Sequence, residues 1–150
     1  MVADAVQRER ALFDRFAKAD DLDEEAEAYA EELEDAELPE DDLWGLDVGV
    51  ISAVLALSAL GALPVSSCNA GGFGGRHAEA FPLVVLYLPR ELAHAVLNLA
   101  RKAGAGVDMI EGGLVRLFGR TDYDLHRFAE FALREHSPDP ARQFGRDRSR

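Results

Sequence analysis

The chain has 150 residues and a formal net charge of −12, and hydrophobic residues make up 48% of it. This length and apolar content are typical of one folded domain with its own core, and they exclude a chain that is disordered throughout. The charge is concentrated in residues 1–42, which hold 17 acidic and 4 basic side chains, whereas residues 43–133 hold 8 and 7. Because nucleic-acid binding needs a basic surface, the composition argues against a nucleic-acid partner.

The cysteine count and the first residues predict the compartment. The single cysteine, Cys68, cannot form an internal disulfide, and the first ten residues carry charges where a signal peptide needs an apolar run. We therefore expect a cytoplasmic protein. The uncharged stretch 48–65 is interrupted by glycine and proline and is short for a bilayer, so it indicates a buried core helix and no membrane partner.

Residues 1–42 are predicted to form an acidic helical N-terminal arm with two helices, each carrying one narrow apolar stripe. The stripes consist of Leu12, Phe13, Phe16 and Ala17 in the first helix and of Ala26, Tyr29, Ala30 and Leu33 in the second. Asp21 followed by Glu24 favours the start of the second helix. Because the stripes are narrow, we expect both helices on the surface of the body or against a second copy, as in a homo-oligomer.

Residues 43–135 are predicted to form an α+β body, followed by a flexible tail at 136–150. A central core helix starts at Asp47, and two pairs of strands follow, at about 63–67 with 83–88 and 107–110 with 114–118. A helix separates the two pairs and ends near Gly104, and another follows the second pair. The order α-β-β-α-β-β-α predicts a mostly antiparallel four-stranded sheet with helices on one face.

The last helix is predicted to begin with a capping box formed by Thr121 and Asp124. Its apolar positions Leu125, Phe128, Ala129 and Ala132 are expected to face the core. By the same periodicity, His94 and His126 are expected on the solvent-facing sides of their helices.

The connection between the first two strands, residues 68–82, is the strongest candidate for a functional site. A connection this long between neighbouring strands is uncommon unless it is functional or disordered. Its glycines allow close approach of a ligand, and successive N–H groups in such a loop can bind an anion. The leading hypothesis is that a small molecule or a protein partner binds here. The expected binding residues are Asn69, Gly71, Gly72, Gly74, Gly75, Arg76, His77 and Glu79.

The alternative hypothesis is a cysteine-dependent enzyme of acyl-transfer or thiol chemistry. Cys68 would act as nucleophile and His77 as base, because a neighbouring imidazolium favours the thiolate. A third possibility is an interaction protein that uses the acidic helices as its interface. The cysteine and histidine content does not favour a metal site, and no motif indicates a cofactor.

One segment resembles known proteins. Pro64-Val65-Ser66-Ser67-Cys68-Asn69, followed by the glycines and His77, is similar to a segment of small uncharacterised bacterial proteins. The resemblance covers about residues 44–134 and brings no established activity, so it implies no catalytic residues. It adds weight to the expectation that the loop is functional.

Overall fold

The computed structural model describes residues 1–36, 46–73 and 79–136. The helices and strands are α1 Val2–Phe16, α2 Leu22–Asp35, α3 Ile51–Leu60, β1 Leu63–Cys68, β2 Leu83–Tyr87, α4 Ala93–Ala103, β3 Gly106–Met109, β4 Val115–Phe118 and α5 Asp122–His136. The predicted α+β class and the order of elements in the body are confirmed. No helix in the three described ranges is long and apolar enough to cross a membrane.

The four strands form one antiparallel sheet in the order β1-β2-β4-β3. β2 lies between β1 and β4, which agrees with its almost entirely apolar sequence. Glu111–Gly113 connects β3 to β4 at the predicted hairpin. Cys68 at the end of β1 is paired with Leu83 at the start of β2, so both ends of the 68–82 connection lie at the same end of the sheet.

The main core lies between one face of the sheet and α3, α4 and α5. Val84 and Leu86 of β2 and Leu117 of β4 are fully buried in it. α3 buries seven consecutive residues, Ile51 to Leu57, as expected for a helix that is apolar on nearly all sides. The predicted start of this helix at Asp47 is wrong, because Val50 is its N-cap and Asp47 precedes it by three residues.

The two N-terminal helices lie on the surface of the body, as expected. α1 packs against α3 and α5 through its buried residues, Ala5, Val6, Glu9, Phe13 and Phe16, whereas Gln7, Arg10 and Asp14 on its other side are exposed. α2 buries no residue completely. The boundary at residue 42 and the tail beyond residue 136 lie outside the described residues, and the domain division stays a prediction.

The helix ends follow the predicted capping chemistry. The Asp21 side chain accepts hydrogen bonds from the backbone N–H groups of Asp23 and Glu24 at the start of α2. Asp124 accepts one from the N–H of Thr121 at the start of α5, at 3.2 Å, which is one half of the predicted capping box, and the N–H of Asp124 donates to the backbone carbonyl of Thr121 at 3.0 Å. α3 has no side-chain cap from its own N-cap residue, Val50, so its first N–H groups need another acceptor.

Candidate functional site

A cavity of about 350 Å³ opens between the beginning of the 68–82 loop and the first turn of α5. Its lining residues are Phe13, Phe16, Ala17, Leu22, Asn69, Ala70, Gly72, Phe73, Pro82, Arg120, Thr121, Asp122 and Tyr123. They come from five parts of the chain, because α1 and α5 converge where the loop leaves β1. A volume near 300 Å³ is at the lower end of the range for small-molecule pockets.

Aromatic rings form much of the cavity wall. Phe13 stacks on Phe73 with ring centroids 5.0 Å apart and an interplanar angle of 6°. Phe16 meets Phe73 edge-on at 5.3 Å, and Tyr123 lies tilted against Phe13 at 4.8 Å. Because the rings lie in packed pairs, their positions in the wall are mutually constrained.

Asn69 holds the first turn of the loop in place. Its Nδ2 donates a hydrogen bond to the carbonyl of Val48 at 2.9 Å, and its Oδ1 accepts one from the N–H of Gly71 at 2.9 Å. Ala70 and Gly71 have positive φ values of 55° and 77°. Glycine is therefore needed for conformation at position 71, and Asn69 acts as a positioning residue that ties the loop to the segment before α3.

Asp122 is the buried acid of this cavity, which we call the Asp122 cavity. Its side chain is only 6% exposed and lies between Gly49 and Gly72, where an added Cβ would overlap the carboxyl group. Within the described part of the chain, Oδ1 of Asp122 has no hydrogen-bond partner. The pKa of Asp122 is raised to about 7, chiefly by burial; a backbone hydrogen bond lowers it, and the negative charges of Glu9 and Asp47 also raise it.

A second buried polar cluster lies behind Asp122 and joins α1, α3 and α5. Glu9 has no exposed surface, and its Oε1 accepts hydrogen bonds from the N–H groups of Gly49 and Ile51 at 3.1 and 3.0 Å. The other oxygen of Glu9 accepts one from Ser52 Oγ and lies 3.2 Å from His126 Nδ1. Glu9 therefore supplies the missing N-terminal cap of α3 from another helix.

His126 belongs to this cluster, and the expected solvent-facing position of His126 is wrong. The side chain is only 4% exposed, whereas His94 is exposed as expected. Leu125, Phe128, Ala129 and Ala132 are buried as predicted. A histidine beside an apolar position on a helix can therefore be buried when a buried carboxylate, here Glu9, accepts a hydrogen bond from it.

Ser52, His126 and Glu9 are the residue types of a hydrolytic triad, but their geometry is different. A triad places the serine and the acid on opposite nitrogens of the imidazole. Here Ser52 Oγ and Glu9 Oε2 both lie near Nδ1, at 3.4 and 3.2 Å. Ser52 is also completely buried, so no substrate reaches it. The cluster is structural.

Some of the predicted site residues lie at the Asp122 cavity, and others do not. Asn69 and Gly72 line the Asp122 cavity, and Gly71 forms the adjoining turn, whereas Cys68 is not among the described lining residues. Sγ of Cys68 accepts a hydrogen bond from the N–H of Ala70 at 3.3 Å. Glu79 is exposed.

The other predicted site residues cannot be placed in this geometry. Gly74, Gly75, Arg76 and His77 lie outside the described residues, so the Cys68–His77 pair and the anion-binding role of the loop stay predictions. The described residues contain no group of three histidine, cysteine or acidic side chains arranged to hold a metal ion.

Sequence reasoning missed Asp122 and Glu9, although the sequence carries a signal for one of them. Glu9 lies four residues after Ala5 and four before Phe13, on the same helical face. An acid within an apolar stripe indicates a buried carboxylate with local partners. Asp122 has no such signal, because an acid in the first turn of a helix is usually explained by the helix dipole.

Comparisons with known proteins add no function to this geometry. A scan against models of protein families, a search of curated proteins and a search of solved structures each found no match.

Proposed function

We propose that the protein binds a small organic molecule in the Asp122 cavity, with the carboxyl group of Asp122 as the polar anchor. The loop predicted from the sequence contributes one wall of this site through Asn69, Gly72 and Phe73. A mostly apolar cavity with few polar groups is the usual form of a small-molecule site.

The buried carboxyl group of Asp122 in the cavity wall is the observation that carries the proposal. Its Oδ1 has no hydrogen-bond partner among the described residues, although buried polar atoms nearly always have one and leaving one without costs about 1–3 kcal/mol. Oδ1 lies against Gly49, whereas Oδ2 lies against the lining residue Gly72, so Oδ2 is the oxygen that an N–H or O–H group of a ligand would meet. A strongly raised pKa in a cleft is also typical of functional acids.

A screen of small fragments by ligand-observed NMR tests the proposal. We expect fragments with a hydrogen-bond donor and an apolar ring to bind the wild type and to lose binding to Asp122→Ala. Glu111→Gln is the control, because Glu111 is exposed in the β3–β4 turn, at the opposite end of β4 from Asp122. Fragments that bind Asp122→Ala as well as they bind the wild type, or a screen without hits, would contradict the proposal.

The cysteine-dependent enzyme is the second candidate, and one contact favours it. The N–H of Ala70 donates a hydrogen bond to Cys68 Sγ at 3.3 Å, so the sulfur lies against the first residues of the loop. The test is the rate of Cys68 alkylation by iodoacetamide as a function of pH, in the wild type and in His77→Ala. An apparent pKa well below about 8.5 that rises in the variant supports a catalytic pair. A rate profile that is independent of His77 contradicts it.

A further inference from the structure

We propose that the ligand of the Asp122 cavity is an organic cation, an ammonium group carried on a small apolar or aromatic body. This inference rests on the proposed function and goes beyond it by naming the class of ligand. It is carried by the combination of a buried carboxyl group, one oxygen of which has no hydrogen-bond partner among the described residues, with an aromatic wall on a strongly acidic molecule.

The aromatic wall suits a cation better than a neutral or anionic ligand. Phe13, Phe16, Phe73 and Tyr123 all line the cavity that Asp122 lines. The face of an aromatic ring attracts an ammonium group. Phe13 and Phe73 stack on each other, so Tyr123, which is 50% exposed, is the ring of this wall with the most surface open to a ligand. A buried carboxyl group and an accessible aromatic ring in one cavity are the two groups that recognise an organic ammonium ion.

The acidic residues around Asp122 also favour a cationic ligand. Glu9 of α1 and Asp47 before α3 both repel the ionised form of Asp122. Asp21 and Asp23 flank the lining residue Leu22 in the sequence. A bound cation relieves the repulsion of Asp122 by Glu9 and Asp47, and the overall charge of −12 favours its approach.

An anion is the opposing possibility, since the first turn of α5 and Arg120 face the same cavity. Arg120 is exposed and is the only basic side chain among the described lining residues. Asp122 occupies the first position of α5, so its ionised carboxylate stands where an anion would sit. An anionic ligand would therefore meet a buried like charge.

Cation binding is linked to the protonation of Asp122. The other ionisable groups near the start of α5 are Glu9, Asp47, Arg120, Tyr123, Asp124 and His126. A cation prefers the ionised carboxylate, and the pKa of Asp122 in the free protein is raised to about 7. We expect affinity for an ammonium ligand to fall by up to about tenfold for each pH unit below this value and to level off above it.

Three probes of the same shape and different charge test the class of ligand. Benzylammonium, benzyl alcohol and benzoate are titrated into the full chain at about pH 8 by calorimetry. We expect benzylammonium to bind at least about tenfold more tightly than benzyl alcohol, and benzoate to bind most weakly. Asp122→Asn keeps an acceptor and removes the charge, so it is expected to abolish the preference, whereas Glu111→Gln is expected to keep it.

The outcomes separate this inference from the proposed function. Equal binding of benzyl alcohol and benzylammonium, or tighter binding of benzoate, overturns the cation class and leaves the small-molecule site standing. Failure of all three probes to bind overturns both. A preference for benzylammonium that survives in Asp122→Asn overturns the role of the Asp122 charge.

Discussion

The raised pKa of Asp122 makes the free energy of unfolding depend on pH. Burial raises its pKa to about 7, whereas an aspartate in an unfolded chain titrates near about 3.9. Between these values the folded protein holds a proton that the unfolded chain has lost, so this residue's contribution to the free energy of unfolding falls as pH rises from about 4 to about 7. Above about pH 7 the contribution is constant.

Asp122→Asn is expected to remove this pH dependence. Relative to the wild type, the variant should gain up to about 4 kcal/mol in free energy of unfolding between about pH 4 and pH 7. Urea denaturation of both proteins across this range measures the difference, with Glu111→Gln as the charge-matched control. A difference between wild type and Asp122→Asn that stays the same at all pH values would contradict the account.

Cys68 is expected to be dispensable for ligand binding. It is half-buried at the end of β1 and lies outside the described cavity lining. Cys68→Ser should therefore leave the dissociation constant of any fragment found in the NMR screen within about twofold of the wild-type value. A loss of affinity of tenfold or more would show that the thiol participates in the site.

At the scale of elements, hydrogen bonds to the Glu9 side chain connect α1 to the start of α3. Glu9→Ala removes a buried acceptor for three backbone N–H groups at the start of α3 and for Ser52 Oγ, and it leaves His126 without its carboxylate. We expect a loss of about 3–5 kcal/mol in free energy of unfolding. Gln7→Ala, an exposed change on the same helix, should stay within about 0.5 kcal/mol. Similar urea midpoints for the two variants would refute the capping role.

The substitution Gly49→Ala tests how closely the segment before α3 approaches α5. Its φ is +99°, and an added Cβ would lie 2.7 Å from Cβ of Asp122. Gly112 has a similar φ of +76° and open space around it. Gly49→Ala should therefore destabilise the protein by clearly more than Gly112→Ala, which carries the backbone strain of about 1–2 kcal/mol alone. Thermal denaturation compares them, and equal losses would contradict the close approach.

Local patterns in the sequence were enough to predict most elements. The apolar positions of α5 recur at helical spacing, and the continuous apolar run of β2 indicates a central strand. The strand order β1-β2-β4-β3 was beyond prediction, because the pairing of β2 with β4 joins residues that are far apart in the sequence.

The candidate site was predictable only in part. The loop was identified from its glycines, and Asn69 and Gly72 do line a cavity. The partners that give this cavity its chemistry come from α1 and from the start of α5, which the sequence does not connect to the loop. The burial of Glu9 and Asp122 arises from tertiary packing, so periodicity and capping patterns describe them only as ordinary helical acids.

At the scale of the whole molecule, the acidic N-terminal segment is part of the folded core and of the cavity. α1 supplies Phe13 and Phe16 to the wall of the cavity and Glu9 to the buried cluster. A chain that lacks residues 1–36 is expected to lose cooperative unfolding and all fragment binding, because the α3 start would lose its acceptor. Calorimetry and the NMR screen check this, and a truncated chain that unfolds cooperatively and still binds fragments would contradict it.

The most direct test of the central claim is a ¹³C NMR titration of the Asp122 carboxyl group, with and without benzylammonium. We expect a midpoint near about pH 7 in the free protein and a lower midpoint when the ammonium ligand is bound. A midpoint near about 3.9 in the free protein, unchanged by the ligand, would contradict both the effect of burial on this carboxyl group and its role as the anchor of a binding site.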